Sequence, residues 1–559
     1  MQAYPWLKFY PKGVPQEIDP DRYSSLVNMF DESFQKFENL VAYENIGSKI
    51  TYKQLDKLSM NFACFLQNKL KLEKGDRIAL QMPNLMQYPI ALIGALRVGL
   101  VVVNTNPLYT PREMEHQFKD SGVKAIVILE NFALNLQKII ENTSIEHVII
   151  AKIGDVLGGL KGSIVNLVIK HVKKMVPRYN IPGAIKFTES IKFKSSWSFI
   201  DPKINSEDIA FLQYTGGTTG ISKGAMLTHR NMIANMEQIH KVILPKVVER
   251  DEIVITALPF YHVFALVINC LAMLKIGARN VLITNPRDIP AFIKELKKYP
   301  FTLFTGVNTL FNALLNQEDF RKLDFSKFNL SAAGGMAVQN TVAERWKEVT
   351  GIPIVEGYGL TETSPVLSLN PVDGTERMGT IGLPVPSTNL KIFDEEGNEV
   401  LVGERGEICA KGPQVMPGYW KNEDETAKVF MNGWFKTGDI GQMDEDGFFK
   451  IVDRKKEMIL VSGFNVYPNE VEDVIASHPK VLEVGVIGVE DKKSTEAVKC
   501  FIVKKDDSLT EDEIKSYCKE NLTAYKRPKH VTFKTELPKS NVGKILRRLL
   551  KEADIEESQ

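Results

Sequence analysis

The segment DIAFLQYTGGTTGISKGAML, residues 208–227, indicates most about the fold and the chemistry of this chain. Its first half is apolar and predicts a buried strand, and a run of small residues from Thr215 to Gly220 follows. Glycines allow a backbone to approach a phosphate closely and to point several N–H groups at it. The hydroxyl groups of the run add donors, and Lys223 adds a mobile positive charge. The segment therefore predicts a loop that cradles a polyphosphate, followed by a helix that starts near Thr228.

The spacing of this loop excludes the phosphate-binding motif GxxxxGK[ST]. Lys223 stands three residues after Gly220, and neither serine nor threonine follows it. Composition alone also allows an ordinary glycine-rich surface turn at this place. The other motifs of the chain have to decide between the two interpretations.

Strand and helix patterns alternate on the amino-terminal side of this segment. RIALQM from Arg77 and the later GLVVVN predict buried strands, and PIALIGALRV between them predicts a helix. Thr110, Pro111 and Glu113 then form a capping box with proline at the first helical position. A similar alternation recurs from about 208 to 360. Strands and helices joined by short loops predict an α/β fold with doubly wound parallel sheets, covered by helices on both faces.

The pattern changes in residues 375–455. Short strand-like runs, NLKIFD, GEICAK and FFKIVD, are separated by glycine-rich turns and predict a small, mostly antiparallel β unit. Further on, VLEVGVIGV, AVKCFIVKK and HVTFK predict strands, and Thr510 caps a helix. We expect a large amino-terminal domain, residues 1–455, and a small α+β domain, residues 456–559, which meet at the charged run 453–457.

The composition is that of an ordinary globular protein. Seventy basic and sixty-nine acidic residues give a formal net charge of +1, so the chain lacks the basic excess typical of nucleic-acid-binding domains. The five cysteines are scattered without CxxC spacing, which argues against a disulfide framework or a zinc site. We expect neither a signal peptide nor a transmembrane helix, and a cytoplasmic location.

Three further motifs have residue types suited to nucleotide chemistry. YGLTET, 358–363, places Glu362 between two hydroxyls, which suits Mg²⁺ because this ion takes few protein ligands and shares the rest with phosphate. Asp439 in GWFKTGD can accept both hydroxyls of a ribose, which Arg454 can brace. KSNVGK, 539–544, is a basic stretch. Taken singly, the motifs also fit a solvated loop glutamate, a turn-forming aspartate and a solvated helix face.

Together and in this order, these motifs resemble the adenylate-forming superfamily of acyl-CoA synthetases, luciferases and peptide-synthetase adenylation domains. The resemblance extends over nearly the whole chain. Within the superfamily, the stretches QMPNLMQYP, NTNPLYTPREMEHQ, FLQYTGGTTG, VSGFNVYPNEVE and LPKSNVGKILRR are similar to bacterial long-chain fatty acid–CoA ligases. Ser222 and Ala333 depart from the residues usual in the family, and by this resemblance neither position touches the reacting atoms.

The resemblance implies roles for individual residues of both domains. Lys223 would hold the β- and γ-phosphates, and Glu362 would lie near Mg²⁺. Lys544 would span the acyl carboxylate and the α-phosphate, and Lys456 would be the hinge about which a mobile small domain rotates. The other implied contacts are to phosphate at Thr215, Gly216, Gly217, Thr218, Thr219 and Gly220, to the metal at Thr215, to the reacting groups at Thr361, to adenine at Gly334, Gly335 and Tyr358, to ribose at Asp439 and Arg454, and to the acyl chain or CoA at His262 and Gly463.

The implied activity is the ligation of a long-chain fatty acid to CoA, with Mg²⁺ as cofactor and ATP and CoA as substrates. ATP converts the acid to acyl-AMP and releases pyrophosphate, and CoA then displaces AMP. Two other interpretations stay open: an adenylating relative that uses another acid or a carrier-protein acceptor, and a catalytically silent binding protein on the same fold. The presence of Lys544, Glu362 and Asp439 argues against the silent protein.

One segment, residues 160–176, predicts an amphipathic helix with basic residues. Its predicted apolar face consists of Val165, Val168, Ile169, Val172 and Val176, and Lys170, His171 and Lys174 lie away from it. Such a helix can lie on an anionic membrane, which would make the protein peripheral on the inner face of that membrane. We expect instead an ordinary helix packed on the core, and the sequence leaves both this choice and a dimeric state open.

Overall fold

The structure is a computed structural model that describes residues 4–193, 199–215, 222–462, 464–491, 494–540 and 543–558. Its first strands are β1 (Val41–Asn45), β2 (Ser48–Thr51), β3 (Arg77–Gln81), β4 (Val101–Asn104), β5 (Ala125–Leu129), β6 (His147–Ala151), β7 (Ile185–Lys186), β8 (Ile209–Thr215), β9 (Lys223–Thr228), β10 (Ile253–Thr256), β11 (Arg279–Leu282), β12 (Leu303–Gly306), β13 (Leu330–Ala333), β14 (Ile354–Gly359), β15 (Val366–Leu369) and β16 (Leu383–Pro384). The later strands are β17 (Asn389–Phe393), β18 (Gly406–Lys411), β19 (Phe430–Met431), β20 (Trp434–Met443), β21 (Phe449–Arg454), β22 (Ile459–Val461), β23 (Phe464–Val466), β24 (Val481–Asp491), β25 (Thr495–Lys504) and β26 (His530–Lys534).

The α-helices are α1 (Leu26–Lys36), α2 (Tyr52–Asn68), α3 (Gln87–Arg97), α4 (Pro111–Ser121), α5 (Ala133–Gln137), α6 (Gly159–Leu167), α7 (Phe187–Ser190), α8 (His229–Ile243), α9 (Val263–Ala265), α10 (Met273–Lys275), α11 (Ile289–Leu296), α12 (Asn308–Leu315), α13 (Glu318–Arg321), α14 (Asn340–Thr350), α15 (Glu423–Val429), α16 (Pro468–Ala476), α17 (Glu511–Asn521) and α18 (Arg547–Ser558). Two segments have π-helical geometry, Val168–Val172 and Leu266–Ala272.

The first sheet has the strand order β7-β6-β5-β3-β4-β8-β9. Its strands from β7 to β8 are parallel, and β9 pairs with β8 as an antiparallel hairpin at the edge. Strands such as β4 and β5 are buried along their whole length, as parallel strands with helices on both faces are expected to be. The hairpin places Thr215 opposite Lys223. The sequence analysis did not predict β9.

The second sheet has the order β16-β15-β14-β13-β12-β10-β11-β1-β2. Its centre from β1 to β14 is parallel, and antiparallel strands complete both edges. Every residue of α3 is buried, and its apolar side chains join one core with residues of both sheets. The doubly wound α/β prediction is therefore confirmed.

Two smaller sheets follow along the chain. Strands β17, β18, β20, β19 and β21 form the antiparallel unit expected at residues 375–455. Strands β22 to β26 form the last sheet, with β26 parallel to β25. A turn at 455–457 separates β21 of one sheet from β22 of the other. The division into residues 1–455 and 456–559 stays a prediction, which this change of sheet supports.

Helix starts follow the sequence signals. The Thr110 side chain accepts from the Glu113 N–H, and the Glu113 side chain accepts from the Thr110 N–H, so the predicted capping box is present. Thr228 caps α8, and Thr510 caps α17. Side-chain oxygens at these positions satisfy backbone donors that a helix leaves unpaired at its first turn.

The amphipathic segment packs on the protein through one face only. Gly162 lies against Gly154, the Asn166 side chain accepts from the Gly154 N–H at 2.7 Å, and Val165 touches the core. Five large apolar side chains of the segment are exposed: Leu160, Ile164, Leu167, Val172 and Met175. One face of the segment therefore packs on the protein as an ordinary core helix would, and the opposite side leaves apolar side chains exposed. In the described part of the chain, no helix combines the length and the apolarity that crossing a membrane requires.

Candidate active site

A buried hydrogen bond joins two of the predicted nucleotide-binding residues. The Tyr358 hydroxyl, at the end of β14, donates to Oδ2 of Asp439 on β20 at 2.6 Å. Nε of Arg454 lies 3.4 Å from Oδ1 of the same carboxylate, because β21 pairs Arg454 with Asp439 across the antiparallel ladder. Burial raises the pKa of Asp439, although the charge of Arg454 and the hydrogen bond from Tyr358 oppose that shift. A carboxylate so held is fixed in position for a hydroxylated ligand.

Glu362 occupies a buried turn beside the β8–β9 hairpin. Its Oε1 accepts a hydrogen bond from the Tyr419 hydroxyl at 2.8 Å, and its carbonyl accepts from the Met416 N–H at 2.8 Å. Burial raises the pKa of Glu362, and the Tyr419 hydrogen bond, Arg454 and Lys223 oppose the rise. Thr361 is half-buried next to it. The turn 361–363 contacts both β8 and β9, so Glu362 and the hairpin belong to one site.

Lys223 is not a free cation in this structure. Its ammonium group pairs with the carboxylate of Glu425 on α15 and lies 5.1 Å from the ring centre of Tyr419. Hydrogen bonds from Lys223 and Lys428 lower the pKa of Glu425 to about 2. The segment 416–420 holds this arrangement, since the Trp420 N–H donates to the Gly224 carbonyl and the Met226 N–H to the Gly418 carbonyl.

Lys544 reaches the same site from the carboxy-terminal part of the chain. The Lys544 N–H donates to Oγ of Ser540 at 3.1 Å, and the Ser540 N–H donates to the Lys544 carbonyl at 2.7 Å, which closes a tight loop. Burial and the charge of Arg454 lower the pKa of Lys544 to about 8, while Glu457 and Asp439 oppose the shift. The ammonium group is thus close enough to the Asp439 cluster for their charges to interact.

His262 lies near the charge of Lys544, and Gly334 lies beside Gly357, the residue before Tyr358. Burial and the positive charge of Lys544 lower the pKa of His262 to about 4, so the imidazole is neutral near pH 7. Gly334 follows β13, and a side chain there would meet the Phe264 ring and the Gly357 carbonyl at about 3.4 Å. Gly335 has a φ of +81°, a conformation that favours glycine.

The remaining predicted residues have simple positions. Thr215 is the last residue of β8, and Lys456 is exposed in the turn between β21 and β22. Gly216, Gly217, Thr218, Thr219, Gly220 and Gly463 lie outside the described residues. Strand ends and loops from six separate parts of the sequence bring the other predicted residues together: Thr215 and Lys223, His262, Gly334, Tyr358 and Glu362, Asp439 and Arg454, and Lys544.

The sequence analysis missed several residues that complete the site. Tyr419 stands in PGYW, a stretch without a titratable group near pH 7, and was passed over. Glu425 follows Asn422 by three residues and looks like part of a helix start, which it also is, because its N–H donates to the Asn422 side chain. Arg547 looks like a solvated helix residue in ILRRLL, yet its guanidinium is nearly buried. Its position three residues after Lys544 was the sequence feature that could have indicated a place near the site.

Comparison with known proteins gives matches over most of the chain. Residues 30–420 match the family described as AMP-binding enzyme, and residues 470–544 match the AMP-binding enzyme C-terminal domain. A long-chain-fatty-acid–CoA ligase from Escherichia coli O6:H1 is 57% identical over 547 residues, which is 98% of each chain. A protein of the same description from Haemophilus influenzae is 52% identical over 552 residues, again 98% of each chain.

A solved structure has the same architecture. An anthranilate CoA ligase in complex with anthranoyl-AMP superposes with a TM-score of 0.85 at 25% identity, over 96% of this chain and 99% of that one. With both family models matched and relatives this similar along its length, the chain belongs to the AMP-binding enzyme family.

Proposed function

We propose that the protein is a long-chain fatty acid–CoA ligase that works through an acyl-AMP intermediate. The observation that carries this proposal is the buried Asp439 carboxylate held by Tyr358 and Arg454, an arrangement suited to a ribose. Lys544, from the other end of the chain, lies near enough for its charge to interact with this cluster. The relatives described as long-chain-fatty-acid–CoA ligases support the choice of acid and acceptor.

The first step joins the fatty acid to AMP. A carboxylate oxygen of the acid attacks the α-phosphorus of ATP, and the bond to pyrophosphate breaks. Both reactants are negatively charged, so the step needs cations that act where charge concentrates in the transition state. Lys544 would lie between the acyl carboxylate and the α-phosphate. Lys223 would break its ion pair with Glu425 and bind the β- and γ-phosphates instead. Asp439 would accept hydrogen bonds from the ribose.

The residues near the hairpin suit Mg²⁺. Glu362 offers a carboxylate and Thr215 a hydroxyl, and the turn that contains Glu362 contacts β8, which ends at Thr215. No group of three or more His, Cys, Asp or Glu side chains forms a metal cage in the described ranges. This fits an ion that takes one or two protein ligands and completes its shell with phosphate and water. We propose that Glu362 and Thr215 hold the ion, which when bound would neutralise phosphate charge.

The second step transfers the acyl group to CoA. The CoA thiol loses its proton, its sulfur attacks the acyl carbonyl carbon, and the bond from that carbon to the AMP oxygen breaks. By this step the carboxylate and the α-phosphate are already joined, so Lys544 no longer has two separate anions to hold together. We propose that the small domain then rotates about Lys456 and removes Lys544 from the site, a gating role that a hinge can serve.

The experiment that tests this function measures acyl transfer with a panel of acids from acetate to oleate. Each acid is supplied with ATP, and either CoA or a phosphopantetheinylated carrier protein is the acceptor. We expect the long-chain acids with CoA to give the highest kcat/KM. Preference for a short acid, or for the carrier protein, would favour the other adenylating relative. Absence of any AMP release would favour the silent binding protein.

A separate observation supports a peripheral membrane contact. The amphipathic segment, residues 160–176, combines its exposed apolar side chains with exposed basic ones, Lys170, His171, Lys173 and Lys174. Apolar groups beside cations suit the interface of an anionic bilayer, where a fatty acid substrate also resides. We propose that this segment docks on such a membrane.

Sedimentation with vesicles tests the docking proposal. Replacement of Lys170, Lys173 and Lys174 by Glu should reduce binding to vesicles that contain an anionic lipid, and added salt should weaken binding of the unmodified protein. The matched control changes three lysines on a distant helix or loop. Equal sedimentation of the triple variant and the unmodified protein would contradict the proposal.

A further inference from the structure

Arg547 stands at the centre of a nearly buried cluster of acidic groups. Its Nε and one terminal nitrogen form a two-point contact with the Glu472 carboxylate on α16, at 2.9 and 2.6 Å. Its other terminal nitrogen bonds to Glu457 and lies 3.3 Å from Oδ1 of Asp453, and the Asn469 side chain is a further partner. A planar guanidinium holds several carboxylates in fixed directions, which a lysine cannot do.

Asp453 differs from the other acidic partners in its place along the chain. It belongs to β21, before the turn at 455–457, whereas Glu457, Asn469 and Glu472 come at or after that turn. The Asp453 side chain is fully buried and accepts from the N–H groups of Arg454 and Asn469, both at 2.7 Å. Asp453 is therefore bonded to groups on both sides of the proposed hinge.

Arg547 is also close to Lys544 in sequence, and the charges of the two side chains interact. It is the first residue of α18, three residues after Lys544, and the Leu546 N–H donates to the Pro538 carbonyl to close the loop between them. The direction in which the Lys544 side chain projects from this loop depends on where α18 starts. The contacts of Arg547 fix that start against β21 and α16.

We propose that Arg547 is a positioning residue for adenylation, which acts by bonding to Asp453 and so holds Lys544 in the site formed by Asp439 and Arg454. Rotation of the small domain about Lys456 carries Glu457 and Glu472 along with Arg547 but leaves Asp453 behind. The Arg547–Asp453 contact is thus present in the adenylating arrangement and is exchanged before thioester formation. This inference rests on the proposed function.

Asp453→Asn and Arg547→Lys test this proposal, with Arg548→Lys as the matched control. Arg548 is the next residue, is largely exposed and pairs with Glu552 on its own helix. Acyl-AMP formation from oleate and ATP is measured alone, and thioester formation is measured separately from synthetic oleoyl-AMP and CoA. We expect both test variants to slow the first half by about tenfold, the rate equivalent of one charged hydrogen bond, and to leave the second half nearly unchanged. The control should match the unmodified protein in both.

A spectroscopic measurement separates positioning from damage to the fold. All five native cysteines are buried, so spin labels can be attached to cysteines introduced at the exposed positions Lys322 and Lys515, one on each domain. Asp453→Asn should shift the distribution of distances between the labels away from that of the unmodified protein. Equal slowing of both halves, or an unchanged distance distribution, would overturn the inference. Failure of the unmodified protein to form acyl-AMP would instead overturn the proposed function.

Discussion

Oγ1 of Thr309 donates a hydrogen bond of 3.1 Å to the carbonyl oxygen of Gly543, the residue that precedes Lys544. Thr309 lies on α12 under the second sheet, and Gly543 lies in the loop that presents Lys544. Gly543 has a φ of +83°, and a Cβ atom there would lie 2.5 Å from Oγ1 of Thr309. The contact therefore ties the carboxy-terminal loop to α12, in the part of the chain that forms the second sheet, and favours glycine on the loop side.

Gly543→Ala should slow adenylation. The alanine would adopt a left-handed conformation that costs about 1–2 kcal/mol, and its methyl group would press on Thr309. We expect acyl-AMP formation to fall by about tenfold, and thioester formation from supplied acyl-AMP to change little. The double variant with Thr309→Ala should recover part of the loss, because it removes the close contact but not the backbone strain. No recovery in the double variant would show that the contact with Thr309 is unimportant.

Lys544→Ala should separate the two half-reactions. Adenylation requires a cation between two separate anions, the carboxylate and the α-phosphate, whereas in thioester formation these two groups are already joined in acyl-AMP. We expect a loss of about 100-fold or more in acyl-AMP formation, the size of effect seen when one preorganised charge-stabilising group is removed. Thioester formation from synthetic oleoyl-AMP serves as the internal control. Equal losses in both halves would remove Lys544 from its assigned role.

The pH dependence of adenylation should report the titration of Lys544. Its folded-state pKa is lowered to about 8, so the cation is present below that pH and is lost as the pH rises through it. His262, with a pKa of about 4, is neutral throughout this range, and Arg547, whose pKa its acidic partners raise, stays charged. We expect kcat/KM for ATP to fall by up to about tenfold per pH unit above about pH 8. Lys544→Arg should abolish this fall, since arginine keeps its charge, and an unchanged profile would contradict the assignment.

Asp439→Ala should weaken the use of ATP. The change removes the proposed ribose acceptor and leaves Arg454 without its carboxylate partner. A buried hydrogen-bonding site left without its partner costs about 1–3 kcal/mol, which would appear in kcat/KM for ATP. Tyr358→Phe removes only the 2.6 Å donor to Asp439 and should cost less, about 0.5–1.5 kcal/mol. If Asp439→Ala has unchanged kinetics with ATP, the aspartate is not part of the site.

The fold was predictable where local patterns determine it. Buried parallel strands are nearly uniform apolar runs, and the caps at Thr110, Thr228 and Thr510 are local side-chain signals. β9 was missed because KGAMLT has no clear strand pattern of its own. It forms a strand by pairing with β8. In the site, Asp439 and Glu362 stand in recognisable motifs.

The missing site residues are defined by distant partners. Glu425 pairs with Lys223 across 202 positions, and Arg547 pairs with Asp453 across 94. No spacing within either segment indicates such a pair. The sequence alone did not indicate which apolar side chains of residues 160–176 are exposed, because burial depends on which face of the helix packs on the rest of the protein, here on the turn at Gly154.

In the proposed function, the fatty acid is activated by attack of its carboxylate on the α-phosphorus of ATP. Oleate labelled with ¹⁸O in its carboxylate tests this directly, in a reaction with ATP and CoA whose nucleotide products are analysed by mass spectrometry. The carboxylate oxygen that attacks phosphorus stays with AMP when the CoA thiol displaces it, so each AMP formed should carry a single ¹⁸O atom, alongside unlabelled pyrophosphate. Formation of ADP and phosphate, with the label in phosphate, would show attack on the γ-phosphorus and would contradict the proposed function.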